Sequence, residues 1–260
     1  MCVRRVLFGM LALAIAALVP ACAGQAPADK PAESTAASAT PVAAPARTPG
    51  VSAHMDDHFA KVTEVHDALI RGDLEAAKEP AKWIAEHQQV AGLPASAGPS
   101  LDEMKKGARQ VVESADVAAA AHGAAAMAVA CGSCHAASNV KPKFPPPAPQ
   151  AVTSEARTHM LEHQHAIDLL YQGLVGPSVQ AWADGAKALK AAPLAGEKLP
   201  KDPQLTRERL AAEAAVHALA DKAAVAADAQ ARVQIYAQLA ASCASCHALH
   251  GKVWGPGLPR

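Results

Sequence analysis

Apolar positions recur along this chain with a helical period and never with the alternation of a half-buried strand. In the stretch 54–71 the residues His58, Val62, Val65 and Leu69 follow an i, i+4, i+7, i+11 stripe that lies on one helix face. The stretch 153–173 repeats it with His159, His163, Ala166 and Leu170. The pattern predicts helices over 54–71, 73–89, 101–114 and 116–136, then over 153–173, 177–191, 204–221 and 224–249. Gly72, Gly92, Pro94, Gly98 and Pro99 punctuate the first set, and Gly173, Gly176 and the segment from Pro193 to Pro203 the second. Short connections make consecutive helices antiparallel neighbours, so each set is expected to form an up-down-up-down bundle.

The two sets look like repeats. Residues from His58 to Gly72 match His159 to Gly173 without a gap, Asp67 falls on Asp168, and a tryptophan follows in each, Trp83 and Trp182. Between them the prolines at 142, 145, 146, 147 and 149 favour an extended connector over 142–152. The expected organisation is a first domain over 54–141, this linker, and a second domain over 153–260. Alanine makes up about a quarter of the chain, which suits helices and argues against sheets. Aromatic residues are only 3%, so the cores must either pack through alanine or be filled by something other than side chains. Lysine plus arginine equals aspartate plus glutamate at 24 each, a balance with no electrostatic footprint for nucleic acid.

The N-terminus reads as an export signal over 1–22. Arg4 and Arg5 precede an apolar run from Val6 to Val19, too short for a comfortable span, and small residues follow. Val19-Pro20-Ala21-Cys22 resembles a bacterial lipobox, in which the cysteine is lipidated. Ala21-Cys22-Ala23 also satisfies the small-x-small rule of ordinary signal peptidase. The lipoprotein reading is preferred, because Cys22 has no other employment and a loose Ala/Pro-rich tether, 23–53, follows it. The expected location is the periplasm or cell envelope, lipid-anchored to a membrane.

Four further cysteines form Cys131-Gly132-Ser133-Cys134-His135 and Cys243-Ala244-Ser245-Cys246-His247, each closing an alanine-rich helix. C-x-x-C-H is the attachment motif for c-type haem. The thiols bind the porphyrin edge and the histidine, one residue on, reaches the iron. A zinc ribbon wants its cysteine pairs closer together. A thioredoxin pair wants a βαβ setting, and neither it nor a structural disulfide uses the histidine. Two covalent haems per chain would also supply the apolar bulk that the aromatics do not.

A motif at the end of the fourth helix leaves no room for the small cytochrome c fold, in which most of the domain follows it. The chain resembles the cytochrome c′ family, the class II cytochromes c, over 54–141 and 153–252. Many members carry an aromatic and a basic residue shortly after the haem histidine; here Ser138-Asn139 and His250-Gly251 stand instead. The resulting expectation is an all-α chain of two tandem antiparallel four-helix bundles, each with a c-type haem at the end of its last helix.

The start of the first helix in such a bundle lies beside the end of the fourth. The ligand opposite His135 is therefore expected to be His58, and that opposite His247 to be His159. The resemblance points to the same helix. His163, one turn from His159 on the same face, is the rival in the second half. His66 is about 12 Å further along its helix than His58, and His122 about 20 Å from His135. His165 falls on another face, and His217 is expected at the far end. His87, at the end of the second helix, has no counterpart, and Met55 and Met160 remain methionine options, although Met160 pairs with Phe59. Met160, Trp83 and Trp182 read as core, and His54 and His250 as solvated. No phosphate loop, nucleophile elbow or carboxylate pair is present. The expected function is single-electron transfer with redox partner proteins. The alternatives are a gas-binding or sensing protein with an open iron, or a peroxidase-like enzyme.

Overall fold

A computed structural model describes residues 49–87, 91–144, 155–191 and 203–249. All of them lie in one compact unit of the chain. They form eight α-helices: α1 (Pro49–Ile70), α2 (Leu74–Glu86), α3 (Gly98–Glu113), α4 (Val117–Ala137), α5 (Glu155–Val175), α6 (Val179–Lys190), α7 (Pro203–Val225) and α8 (Ala229–Leu249). A single 3₁₀ turn, Ala95–Ala97, precedes α3. Among the described residues there is no strand, so the protein is all-α, as its alanine content and helical period require. The lipidation candidate Cys22, the signal segment, and His250 lie outside the described residues. α1 starts at Pro49, a little before the point where the composition stops looking like a tether.

Local chemistry sets the helix boundaries. The Asp73, Asp116, Ser178 and Asp228 side chains accept the amide protons of Ala76, Ala119, Ala181 and Ala231, capping α2, α4, α6 and α8. Gly72 ends α1 in the left-handed region at φ +77°, where its missing Cβ is an advantage. Within each set of four, consecutive helices pack against one another. In the α3–α4 pair the backbones touch: a Cβ on Gly107 would lie 2.8 Å from the Gly123 carbonyl oxygen, and one on Gly123 2.7 Å from that of Gly107. α4 is correspondingly lined with buried small residues, among them Ala120, Ala121, Ala124, Ala125 and Ala128. The helices of the first and last sets also pack on one another, α4 against α8 and α5, and α1 against α8. The two cysteine-bearing helices are thus neighbours within one hydrophobic core.

The caps fix the register of the repeat. Cys131 and Cys243 each lie fifteen residues after their N-cap aspartates, Asp116 and Asp228. In the first hairpins, His58 lies fifteen residues before the cap Asp73, and His163, not His159, lies fifteen before Ser178. His159 corresponds to His54. The gapless match of 58–72 with 159–173 is therefore displaced by one helical turn. Gly173, which mimics the helix stop Gly72, sits inside α5, and its missing Cβ leaves room for the Trp182 backbone nitrogen, which lies 2.8 Å from where that Cβ would be. α5 runs on to Val175. A shift of one turn keeps every side chain on the same face, so the apolar stripe could not reveal it. Trp83 and Trp182 are not counterparts either. Trp83 lies near the end of α2 and stacks on His87 at 3.8 Å, whereas Trp182, in the first turn of α6, donates its indole N–H to the Ala223 carbonyl at 2.8 Å.

Candidate cofactor sites

Both cysteine motifs occupy the last turns of their helices, with the paired thiols one turn apart on a common face. All four cysteines are free thiols. Burial and the neighbouring thiol push Cys131 and Cys243 up to about 12, so both are protonated near neutral pH. The His135 Nδ1–H donates to the Val175 carbonyl oxygen at 2.7 Å. That bond assigns the neutral tautomer whose Nε2 carries the lone pair a metal would use. His247 stands in the corresponding place and hydrogen-bonds to the Ile70 backbone; burial lowers its pKa and this bond partly restores it. Ile70 and Val175 are equivalent, each three residues before its cap. Each motif histidine is therefore oriented by the first hairpin of the other set of four helices. Gly132, inside the first motif, lies directly against the Leu174 carbonyl oxygen, and Gly72 lies against the Ala244 carbonyl oxygen of the second.

Histidines also gather in each set of four helices. In the first, His54, His58 and His87 converge, with ring centroids 4.4 to 5.2 Å apart. The His58 Nε2 is buried and has no hydrogen-bond partner. Desolvation, then the charges of His54, His87 and Lys105, lower its pKa to about 4, so its imidazole is neutral. Lys105 sits two residues before Gly107, which faces Met127 on α4. His54, expected in solvent, is buried, and desolvation lowers its pKa too.

In the second, Glu213 on α7 takes the place of a fourth member. Its Oε1 accepts from His159 Nε2 at 2.8 Å and from His217 Nε2 at 3.1 Å, and His163 Nε2 lies 3.4 Å away without hydrogen-bond geometry. Burial alone would raise the Glu213 pKa, but the histidine hydrogen bonds outweigh it and hold the carboxylate ionised. The same carboxylate acts electrostatically on Cys243 and Cys246, which places the cluster beside the second motif. His217, expected at the far end, belongs here. In both clusters three donor atoms lie within 4.8 Å of one another, an arrangement able to hold a transition-metal ion as well.

A third group lies between the two motifs. Tyr236 hydrogen-bonds His66 Nδ1, and His66 Nε2 reaches Asp168 Oδ1 at 3.1 Å. His66 also stacks on Tyr171 at 4.6 Å. Tyr171 feels Cys131 and Tyr236 feels Cys243, and burial raises both phenol pKa values well above the ordinary range. His66 is therefore part of the contact between α1, α5 and α8.

The thiols, the oriented motif histidines and the neutral buried imidazoles form a donor set that suits a thioether-bound porphyrin iron with nitrogen ligands. Sequence reading found the four cysteines, both motif histidines, His58 and the His159/His163 pair. It missed Glu213 and the Tyr236–His66–Asp168 group, whose members lie far apart in the chain and carry no motif. Comparison with protein-family models, with curated proteins and with solved structures gave no match.

Proposed function

We propose that the chain is an exported dihaem c-type cytochrome that carries single electrons, built as two tandem antiparallel four-helix bundles with a haem at the end of each last helix. The observation that carries this reading is the duplicated C-x-x-C-H at equivalent helix ends, with His135 held through Nδ1 by a carbonyl and so set to bind through Nε2. Cys131 and Cys134 would hold one porphyrin, Cys243 and Cys246 the other. A bound haem supplies an iron that gains and loses one electron. The chain's residues ligate it, exclude water and set its potential.

His58 would face the first iron opposite His135, since its orphaned Nε2 needs a partner. His163 would face the second opposite His247, because it shares the register of His58 and its Nε2 is likewise without a hydrogen bond. His159 is the other candidate there, and its use would require giving up the bond to Glu213. That bond favours a second reading, an open second iron that takes a gas or peroxide. Cys22 would carry the lipid that ties the protein to the envelope, where redox partner proteins would meet it.

Periplasmic expression with haem-maturation machinery tests the proposal. Intact mass should show two porphyrins per chain, and the ferric spectrum should be low-spin with little carbon monoxide binding. One porphyrin, or stoichiometric zinc, would overturn the dihaem reading. Carbon monoxide binding at half the haems would favour the open second site.

A further inference from the structure

The two sites differ in one buried charge. Glu213 lies fifteen residues before the cap Asp228, and the residue fifteen before Asp116 is Leu101, an apolar core residue. On the same count, His217 replaces Lys105. The second site therefore has a carboxylate that accepts hydrogen bonds from His159 and His217 and is held ionised by its histidine partners, while the first has three histidines and a lysine cation that acts on His58.

We infer that Glu213 holds the second haem at a lower reduction potential than the first, so that electrons entering the chain at Cys243–His247 pass on to Cys131–His135. The inference rests on the dihaem reading.

The physics is that of a fixed charge near a centre whose own charge changes by one. Reduction removes one positive charge from the iron. A nearby anion stabilises the oxidised form and lowers the potential, and a cation does the reverse. Glu213 acts on both cysteines that would carry the second porphyrin, so its charge lies close to that site. Its side chain is 14% exposed, which limits screening by salt. The opposing charges are Arg209, one turn earlier on α7 and part-buried, which acts on Cys246, and the exposed Arg71, which acts on His247. At the first site a carboxylate that acts on the histidines is Asp57, which acts on His54 and is exposed on α1. Ligation through His163 would not use the His159 Nε2 that bonds Glu213 at 2.8 Å.

Potentiometric titration of the haem-loaded full chain tests this, after the haem count and low-spin spectrum are verified. Two one-electron waves are expected. A Cys243→Ala/Cys246→Ala variant, keeping only the first haem, should retain the higher one. Glu213→Gln should raise the lower midpoint by at least a tenfold change in the reduction equilibrium, ~59 mV for a one-electron couple, and leave the higher in place. Should the Gln variant lose haem, Lys105→Glu supplies the converse and should lower the higher midpoint. The inference fails if both haems titrate together, if Glu213→Gln moves neither midpoint, if it moves the higher, or if Lys105→Glu leaves the higher where it was. Fewer than two haems would instead overturn the dihaem reading.

Discussion

Removing one oxygen atom, in Tyr236→Phe, tests whether the two sets of four helices form a single cooperative structure. Tyr236 on α8 is 1% exposed and His66 on α1 is 3% exposed, and their hydrogen bond crosses between the sets. Because His66 Nε2–H donates to Asp168, Nδ1 must accept the Tyr236 hydroxyl proton. Phenylalanine keeps the ring, and so keeps the stack with Tyr171 at 5.7 Å, but leaves the Nδ1 lone pair buried and unsatisfied. An orphaned buried acceptor costs about 1–3 kcal/mol. For a chain of this size that corresponds to a fall in Tm of roughly 2–12 °C. Urea unfolding followed by circular dichroism gives the free energy. It should show one transition whose midpoint moves without a change in slope. His66→Leu should cost a similar amount. The double variant should cost less than the sum of the two by about 0.5–3 kcal/mol, because neither group is then left without its partner. Gln164 donates to Asp168 at 2.7 Å, so that carboxylate keeps a donor in the double variant. A Tyr236→Phe protein within about 0.5 kcal/mol of wild type, or two separate transitions, would refute the reasoning.

Gly132→Ala should destabilise by about 1–3 kcal/mol through overpacking against the Leu174 carbonyl, and urea midpoints will show it; Ser133→Ala, on the exposed side of the same turn, should be near neutral. In haem-free protein, acid should weaken the fold through His58. Its folded pKa of about 4 lies below the ordinary histidine value of 6.5, so the unfolded chain binds the proton first. Stability is then greatest above pH 6.5 and falls as the pH drops toward 4, by about 3 kcal/mol in all. Urea midpoints at pH 7 and pH 4.5 measure this, and His58→Leu should flatten the slope. Cys22→Ser should release the protein from membranes on fractionation; an unlipidated mature wild type beginning at Gly24 would show that ordinary signal peptidase had cut instead.

Halves divided at a proline-rich linker suggest domains that fold apart. In the structure, His135 takes its orienting bond from Val175, and the pairing of His247 with the Ile70 backbone mirrors it. A fragment of 153–260 would lack the Ile70 carbonyl and the His66 side chain. The linker separates the sets in sequence while the core joins them in space.

The sequence by itself determined the helices, their approximate ends and the cysteine–histidine motif at the end of each set. Helical period, capping residues and C-x-x-C-H are local properties, written in neighbouring residues of one segment. It also determined that a histidine of the first helix faces the core near each motif, since an inward stripe is set by spacing alone. What only the tertiary structure decided depends on contacts between segments. A one-turn slip leaves the stripe unchanged, so choosing His163 over His159 as the counterpart of His58 required the Ser178 cap and the close approach of Trp182 to Gly173. The burial of His54 depended on where α2 ends and sets His87 beside it. Glu213 could not be recognised from its neighbours on α7, because its role comes from three histidines on α5 and α7 and two cysteines on α8 that folding brings to one carboxylate.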